Sequence, residues 1–147
     1  MAKIKHRVGI VVSQQDVWAA ITDTKKLCGW WSSSADGSSE LDGTLNLKFE
    51  GLTTLSFLVI QRKEDHLLHL KNIDGPGAWN GSDLEFRLEP GEGQIFLVLE
   101  HNSDEASEAD FQFFMTKWPI FLVSLKSYAE TGKGRPFPDD IKIQADL

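Results

Sequence analysis

From Gly43 to His101 the chain is cut into five short stretches of alternating polarity, with only a few residues between them. Leu45, Leu47 and Phe49 alternate with Asn46, Lys48 and Glu50, and "TTLSFLVIQR", "DHLLHLKNI", "SDLEFRLE" and "GQIFLVLEH" repeat the theme. The breaks fall at Glu50-Gly51, Glu64-Asp65, "DGPGAWNG" and "PGEG". Period-two alternation marks a strand with one dry face and one wet face. Connections this short join antiparallel neighbours, because a parallel crossover needs about a dozen residues or more. Such a run demands a twisted antiparallel sheet whose apolar side must be covered by something else.

The flanking segments supply the cover. Ile4, His6, Val8, Ile10 and Val12 alternate with Lys3, Lys5 and Arg7, which predicts a further strand at the start. Ser13 is a candidate N-cap for "QQDVWAAI", where Val17, Ala20 and Ile21 share a helical face beside Trp18. A second short helix is expected from Thr24 toward Gly29. At the other end Phe114, Trp118, Phe121, Leu125 and Tyr128 form a helical stripe of about four turns, with Gly132 as its C-cap. Pro119 inside it leaves a carbonyl without a donor, so a bend is expected near Met115–Thr116. The tail from about residue 133, "KGRPFPDDIKIQADL", reads as irregular. The expected fold is α+β: a curved antiparallel sheet of six or seven strands wrapped around a long C-terminal helix, with two short helices after the first strand. Residues 1–147 are expected to form a single domain. One helix rarely fills a concave sheet along its whole length, so a cavity between them is expected.

Composition narrows the partners. The 147 residues carry 22 acidic against 15 basic side chains, a net charge of −7, which disfavours nucleic acid because phosphate binding needs a basic surplus. No apolar run reaches the length of a membrane span. "MAKIKHRVGIVV" has charges spread through it and no cleavable apolar core, so a cytoplasmic protein is expected, with Asn80 of "NGS" unglycosylated. Cys28, the lone cysteine, excludes an internal disulfide and a multi-thiolate site; it is expected to be buried and inert.

Three stretches together point to a family. "VSQQDVWAAITDTKKLCGWW" resembles the opening of START-like helix-grip (SRPBCC) proteins, in the branch related to the activator of Hsp90 ATPase. "WNGSDLEFRLEPGEGQIFLVLEH" looks like that branch's Trp-x-Gly strand pair, and "WPIFLVSLKSYAETGKGRPF" is similar to its closing helix through Trp118, Leu125, Tyr128, Glu130, Thr131 and Gly132. Pro119 departs from the pattern. The resemblance implies the helix-grip fold and, from the family's name, an Hsp90-type chaperone as a candidate partner. One fold hosts many activities, so function has to come from the site.

The candidate site is a set of rings. Trp30 and Trp31 follow the second helix, where one ring is expected to seal the core while its neighbour faces the cavity mouth. Trp79 would approach from the opposite rim and Trp118 from the helix. Phe49, Phe57, Phe86, Phe114 and Phe121 would supply walls. Each of these rings equally suits ordinary core filling. His101 continues the inward set Ile95, Leu97 and Leu99. There it would contact a ligand, act as a base, or be satisfied by core neighbours. No metal site is expected: His66 and His69, three apart on a strand, point to opposite faces, and His6 adds no third ligand. Asp104, Glu105, Glu108 and Asp110 read as a solvated helix start, and Ser32–Ser34 lack the glycines of a nucleophile elbow. The expectation is a binding protein for a small hydrophobic or aromatic ligand, as monomer or homodimer and without a cofactor. The alternatives are a cyclase- or hydrolase-like enzyme using His101, and an interaction module acting on a chaperone.

Overall fold

The first strand of the chain lies beside the last. In the computed structural model, which describes residues 2–145 and residue 147, β1 (Ala2–Ile10) pairs antiparallel with β7 (Gln94–Ser103), from Ala2 opposite Ser103 to Ile10 opposite Ile95. Between them in sequence come β2 (Ser34–Gly37), β3 (Thr44–Phe49), β4 (Thr53–Lys63), β5 (Leu67–Asp74) and β6 (Asp83–Gly91). All seven form one antiparallel sheet in the order β1-β7-β6-β5-β4-β3-β2. Together with a long C-terminal helix this is the α+β helix-grip arrangement.

Register explains the dry face. Ile4 stands opposite His101, His101 opposite Leu84, Leu84 opposite Leu70, and Leu70 opposite Val59, a single row crossing five strands. Every member of that row is buried. A slip of one residue in any strand would turn its apolar set outward, so burial fixes the pairing. β2 is the strand that alternation did not reveal. Its four residues, "SADG", include no buried side chain and pair only with β3 at the sheet edge. β1 stops at Ile10, before Val12, and β5 begins at Leu67, which leaves His66 exposed in the preceding turn.

Three helices cover the sheet. α1 (Gln14–Thr22) is capped by Ser13, whose Oγ accepts from the Asp16 N–H at 3.1 Å. α2 (Thr24–Leu27) is capped by Asp23 and ends two residues before Gly29. Gly29 serves packing instead: a Cβ there would stand 2.2 Å from Cε1 of Tyr128, so only a glycine lets this turn approach the long helix. α3 (Glu108–Thr131) opens on a capping box. Ser107 Oγ accepts from the Asp110 N–H at 3.1 Å, and the Asp110 carboxylate accepts from the Ser107 N–H at 3.0 Å. That gives Asp110 a specific role within the acidic cluster. Gly132 closes α3 at φ 83°, the left-handed C-cap expected of it.

α3 continues unbroken through Pro119. The carbonyl that Pro119 cannot serve belongs to Met115, whose side chain lies on the exposed face of the helix. The stripe Phe114, Trp118, Phe121 and Leu125 is buried against the sheet, with Tyr128 partly so. Among the described residues no helix is long and apolar enough to cross a membrane.

Among the described residues after Gly132 there is no helix or strand, yet the segment is tied down. The Arg135 N–H donates to Ser124 Oγ at 2.8 Å, and the Phe137 N–H donates to the Trp31 carbonyl at 2.9 Å. This tail runs back over α3 and becomes part of the site.

Candidate functional site

α3 and the sheet do not meet completely. A cavity of about 470 Å³ remains between the first half of α3, the β3–β4 turn, the short 3₁₀ turn Gly77–Trp79 and the tail. Its volume is in the range of sites for small organic ligands. Exposed Leu52 stands at its rim. Five of the ten residues expected to line it do so: Trp31, Phe49, Trp79, Phe114 and Phe121.

Trp31 contributes to the wall from a buried position. The ring is 1% exposed and lies within 6.5 Å, centroid to centroid, of Phe49, Phe57, Phe86, Trp118 and Phe121. Its indole N–H finds no acceptor among the described residues. Trp30 takes a different position. Its Nε1 donates to the Ala20 carbonyl at 2.8 Å, and its own carbonyl accepts from Ser124 Oγ at 2.8 Å, so it ties α1 to α3 inside the core. The two rings divide core and cavity, but they do not diverge. They stack at 5.2 Å with 19° between planes, a favourable arrangement for two buried rings.

Trp30, Phe57, Phe86, His101 and Trp118 lie a layer deeper and do not line the cavity. His101 shows why. The Trp118 indole donates to His101 Nδ1 at 3.0 Å, which assigns the ring proton to Nε2, and Nε2 then donates to Ser82 Oγ at 3.1 Å. Ser82 Oγ in turn donates to the Trp79 carbonyl at 2.7 Å. Trp79 stacks on the imidazole at 4.7 Å and Phe114 meets it edge-on at 4.5 Å. Burial pushes the His101 pKa down to about 4, against a smaller opposing effect of the Asp83 charge. Both nitrogens are engaged and both faces covered, so the geometry makes His101 a neutral polar core residue that holds Trp79 and Trp118 in place.

The tail adds residues that sequence patterns did not mark. Phe137 meets Phe49 edge-on at 5.6 Å, and Asp140 reaches Lys117 of α3 at 2.6 Å. Both side chains of this pair are only 4% exposed. Lys142 donates to the other oxygen of Asp140. Burial would raise the Asp140 pKa, but the bonds from Lys117 and Lys142 outweigh it and hold the carboxyl below its usual value. Asp140 carries no pattern of its own in the sequence. Lys117 does: it lies three residues after Phe114 and four before Phe121, on the apolar stripe.

Other candidates fall elsewhere. His69 pairs with Asp83 at 3.6 Å on the outer face of the sheet. Cys28 is half-buried, with its Sγ on the Thr24 carbonyl at 3.2 Å, and desolvation raises its pKa, which suppresses the thiolate. Among the described residues no group of three His, Cys, Asp or Glu side chains comes together for a metal.

Comparison with known proteins gives one family. The family described as activator of Hsp90 ATPase homolog 1-like protein matches residues 12–130. The Aha1 dimer from Colwellia psychrerythraea has a solution structure similar to this chain at a TM-score of 0.82 and 30% identity, over 91% of this chain and 100% of that one. Protein SSP2350 from Staphylococcus saprophyticus is similar at 0.78 and 20% identity, over 91% and 96% of the two chains. CalU16 from Micromonospora echinospora is similar at 0.72 and 21% identity, over 88% and 77%. No curated protein matches the chain.

Proposed function

The chain belongs to the activator of Hsp90 ATPase homolog 1-like family, and we propose that within it this protein binds a small apolar or aromatic molecule in the cleft between α3, the β3–β4 turn and the tail. One observation carries the reading: a cavity of about 470 Å³ bordered by the rings of Trp31, Phe49, Trp79, Phe113, Phe114 and Phe121. An apolar guest there gains burial and ring contacts, while the fixed tail and capped helix limit the ordering cost of binding. His101 supports binding over turnover, because its nitrogens are already committed to Trp118 and Ser82.

Titration of aromatic and lipid-like compounds, neutral and anionic, tests the reading through tryptophan fluorescence and melting temperature. A ligand at a hundredfold excess over its dissociation constant stabilises the fold by about 2.7 kcal/mol. Unchanged fluorescence and melting across the series would remove the proposal. Native mass spectrometry of freshly purified protein gives an independent reading through a copurified small molecule.

A second reading, action on an Hsp90-type chaperone, draws support from the family's description and from the 30%-identical Aha1 dimer. It predicts a complex with the chaperone and a changed ATPase rate; no complex and an unaltered rate would dismiss it. The dimeric relative also supports a homodimer, for which light scattering would give a mass near twice 16.5 kDa.

A further inference from the structure

Lys117 is left over once the rings of the cleft have been assigned. It is 3% exposed and lines the cavity, its Nζ lying 5.4 Å from the centre of the Phe121 ring. An ammonium carries three donors. Two are used, on Asp140 Oδ2 at 2.6 Å and on the Ile141 carbonyl at 2.8 Å. No third acceptor reaches Nζ among the described residues.

Charge does not balance at this wall either. Lys117 and Lys142 share the single carboxylate of Asp140, which leaves a local surplus of one positive charge in a chain whose net charge is −7. The indole N–H of Trp31 is unpaired too among the described residues, but it is buried inside the wall and is not presented to the cavity; its ring packs on Phe121 at 5.9 Å. The other carboxylate of the lining, Asp110, lies seven residues earlier on α3, about 10 Å along the axis. It is committed to the Ser107 N–H at 3.0 Å. The cleft thus offers aromatic walls and one free donor on Lys117, beside a carboxylate that two ammonium groups share.

Resting on the reading of the cleft as a ligand site, we infer that its ligand is an aromatic monocarboxylate, with its ring system among the phenyl and indole walls and its carboxylate accepting from the third donor of Lys117. A carboxylate neutralises the surplus and supplies two acceptor oxygens, and a charge-assisted hydrogen bond in a poorly solvated site is stronger than a neutral one. A neutral guest can accept from the third donor but leaves the added charge uncompensated, and a dianion would exceed the surplus.

The test uses 2-naphthoate and its neutral counterpart of the same shape, 2-naphthamide, in calorimetric titrations of the intact chain at neutral pH. The acid is expected to bind about tenfold more tightly than the amide. Lys117→Met is expected to bring that ratio to about one. Asp140→Asn, which keeps the side-chain shape while removing the internal competitor, is expected to raise the ratio several-fold; a merely structural pair would give no such gain. Equal binding of acid and amide by the unaltered chain overturns the inference while the cleft stands as an apolar site. A ratio that persists in Lys117→Met, or that fails to rise in Asp140→Asn, overturns it as well. Binding of neither probe brings down the reading of the cleft itself.

Discussion

Lys117 Nζ stands 2.6 Å from Asp140 Oδ2 with both side chains buried, and the two residues belong to segments that meet only through the folded tail. An ammonium and a carboxylate removed from water are tolerated because each satisfies the other, so removing one partner costs far more than the pair itself contributes. Asp140→Ala is expected to lower stability by about 3 kcal/mol. Urea unfolding followed by tryptophan fluorescence measures it, and a loss under ~0.5 kcal/mol, ordinary for a surface position, would contradict the buried pairing.

His101 makes stability depend on acidity in a defined window. Its pKa in the fold is depressed to about 4, against an ordinary 6.5. Above pH 6.5 both the folded and the unfolded chain hold it neutral, and it contributes no pH dependence. As pH falls from 6.5 toward 4 the unfolded chain takes up the proton and the folded chain resists, so stability is lost across that interval, by about 3 kcal/mol in all. His101→Gln, which keeps a donor and an acceptor on the side chain, is expected to flatten this part of the profile. Denaturation series at several pH values, compared between the two proteins, give the difference directly.

Gly29 and Tyr128 provide a test of packing. A methyl group at Gly29 would stand 2.2 Å from the tyrosine ring. Gly29→Ala is therefore expected to cost about 1–3 kcal/mol through displacement of that ring. In a Tyr128→Ala background most of the penalty should vanish, because the clashing atoms are gone. Thermal melts of the four proteins in this cycle report the coupling.

The cleft can be closed from its rim. Ala109 is exposed on the first turn of α3 and lines the cavity. Ala109→Trp places an indole across the opening, and binding of 2-naphthoate is expected to weaken about tenfold or more. Because the site of change is exposed, the melting temperature is expected to move by no more than ~2 °C, which calorimetry and a thermal scan read on the same sample.

How far the sequence foretold these features follows from which forces leave a local trace. β3 to β7 were visible because one face of each strand is buried, and burial imposes period two on the residues themselves. β2 left no trace: Ser34–Gly37 buries no side chain, so nothing selects an alternating pattern there. The stripe from Phe114 to Tyr128 announced a helix packed on one side, and Gly132 its end. The same stripe contained Lys117 at the spacing of its apolar neighbours. That lysine was the available signal for a buried cation, and it was masked by the rings around it. Which rings face the cavity and which fill the core was beyond local pattern. Trp30 and Trp31 are adjacent and chemically identical, and they differ only because Ala20 and Ser124, distant in sequence, hold the first of them inside the core. The tail offered even less, since Phe137 and Asp140 are held by contacts with Trp31, Phe49 and Lys117 and by no regular structure of their own.

The family match spans residues 12–130 and stops short of Phe137 and Asp140. In the proposed reading the sheet and its gripping helix set the size of the hollow, and the closing strap contributes a ring and the counter-ion for Lys117. Exchanging that strap alone is then a route to a different guest preference, without altering a single strand.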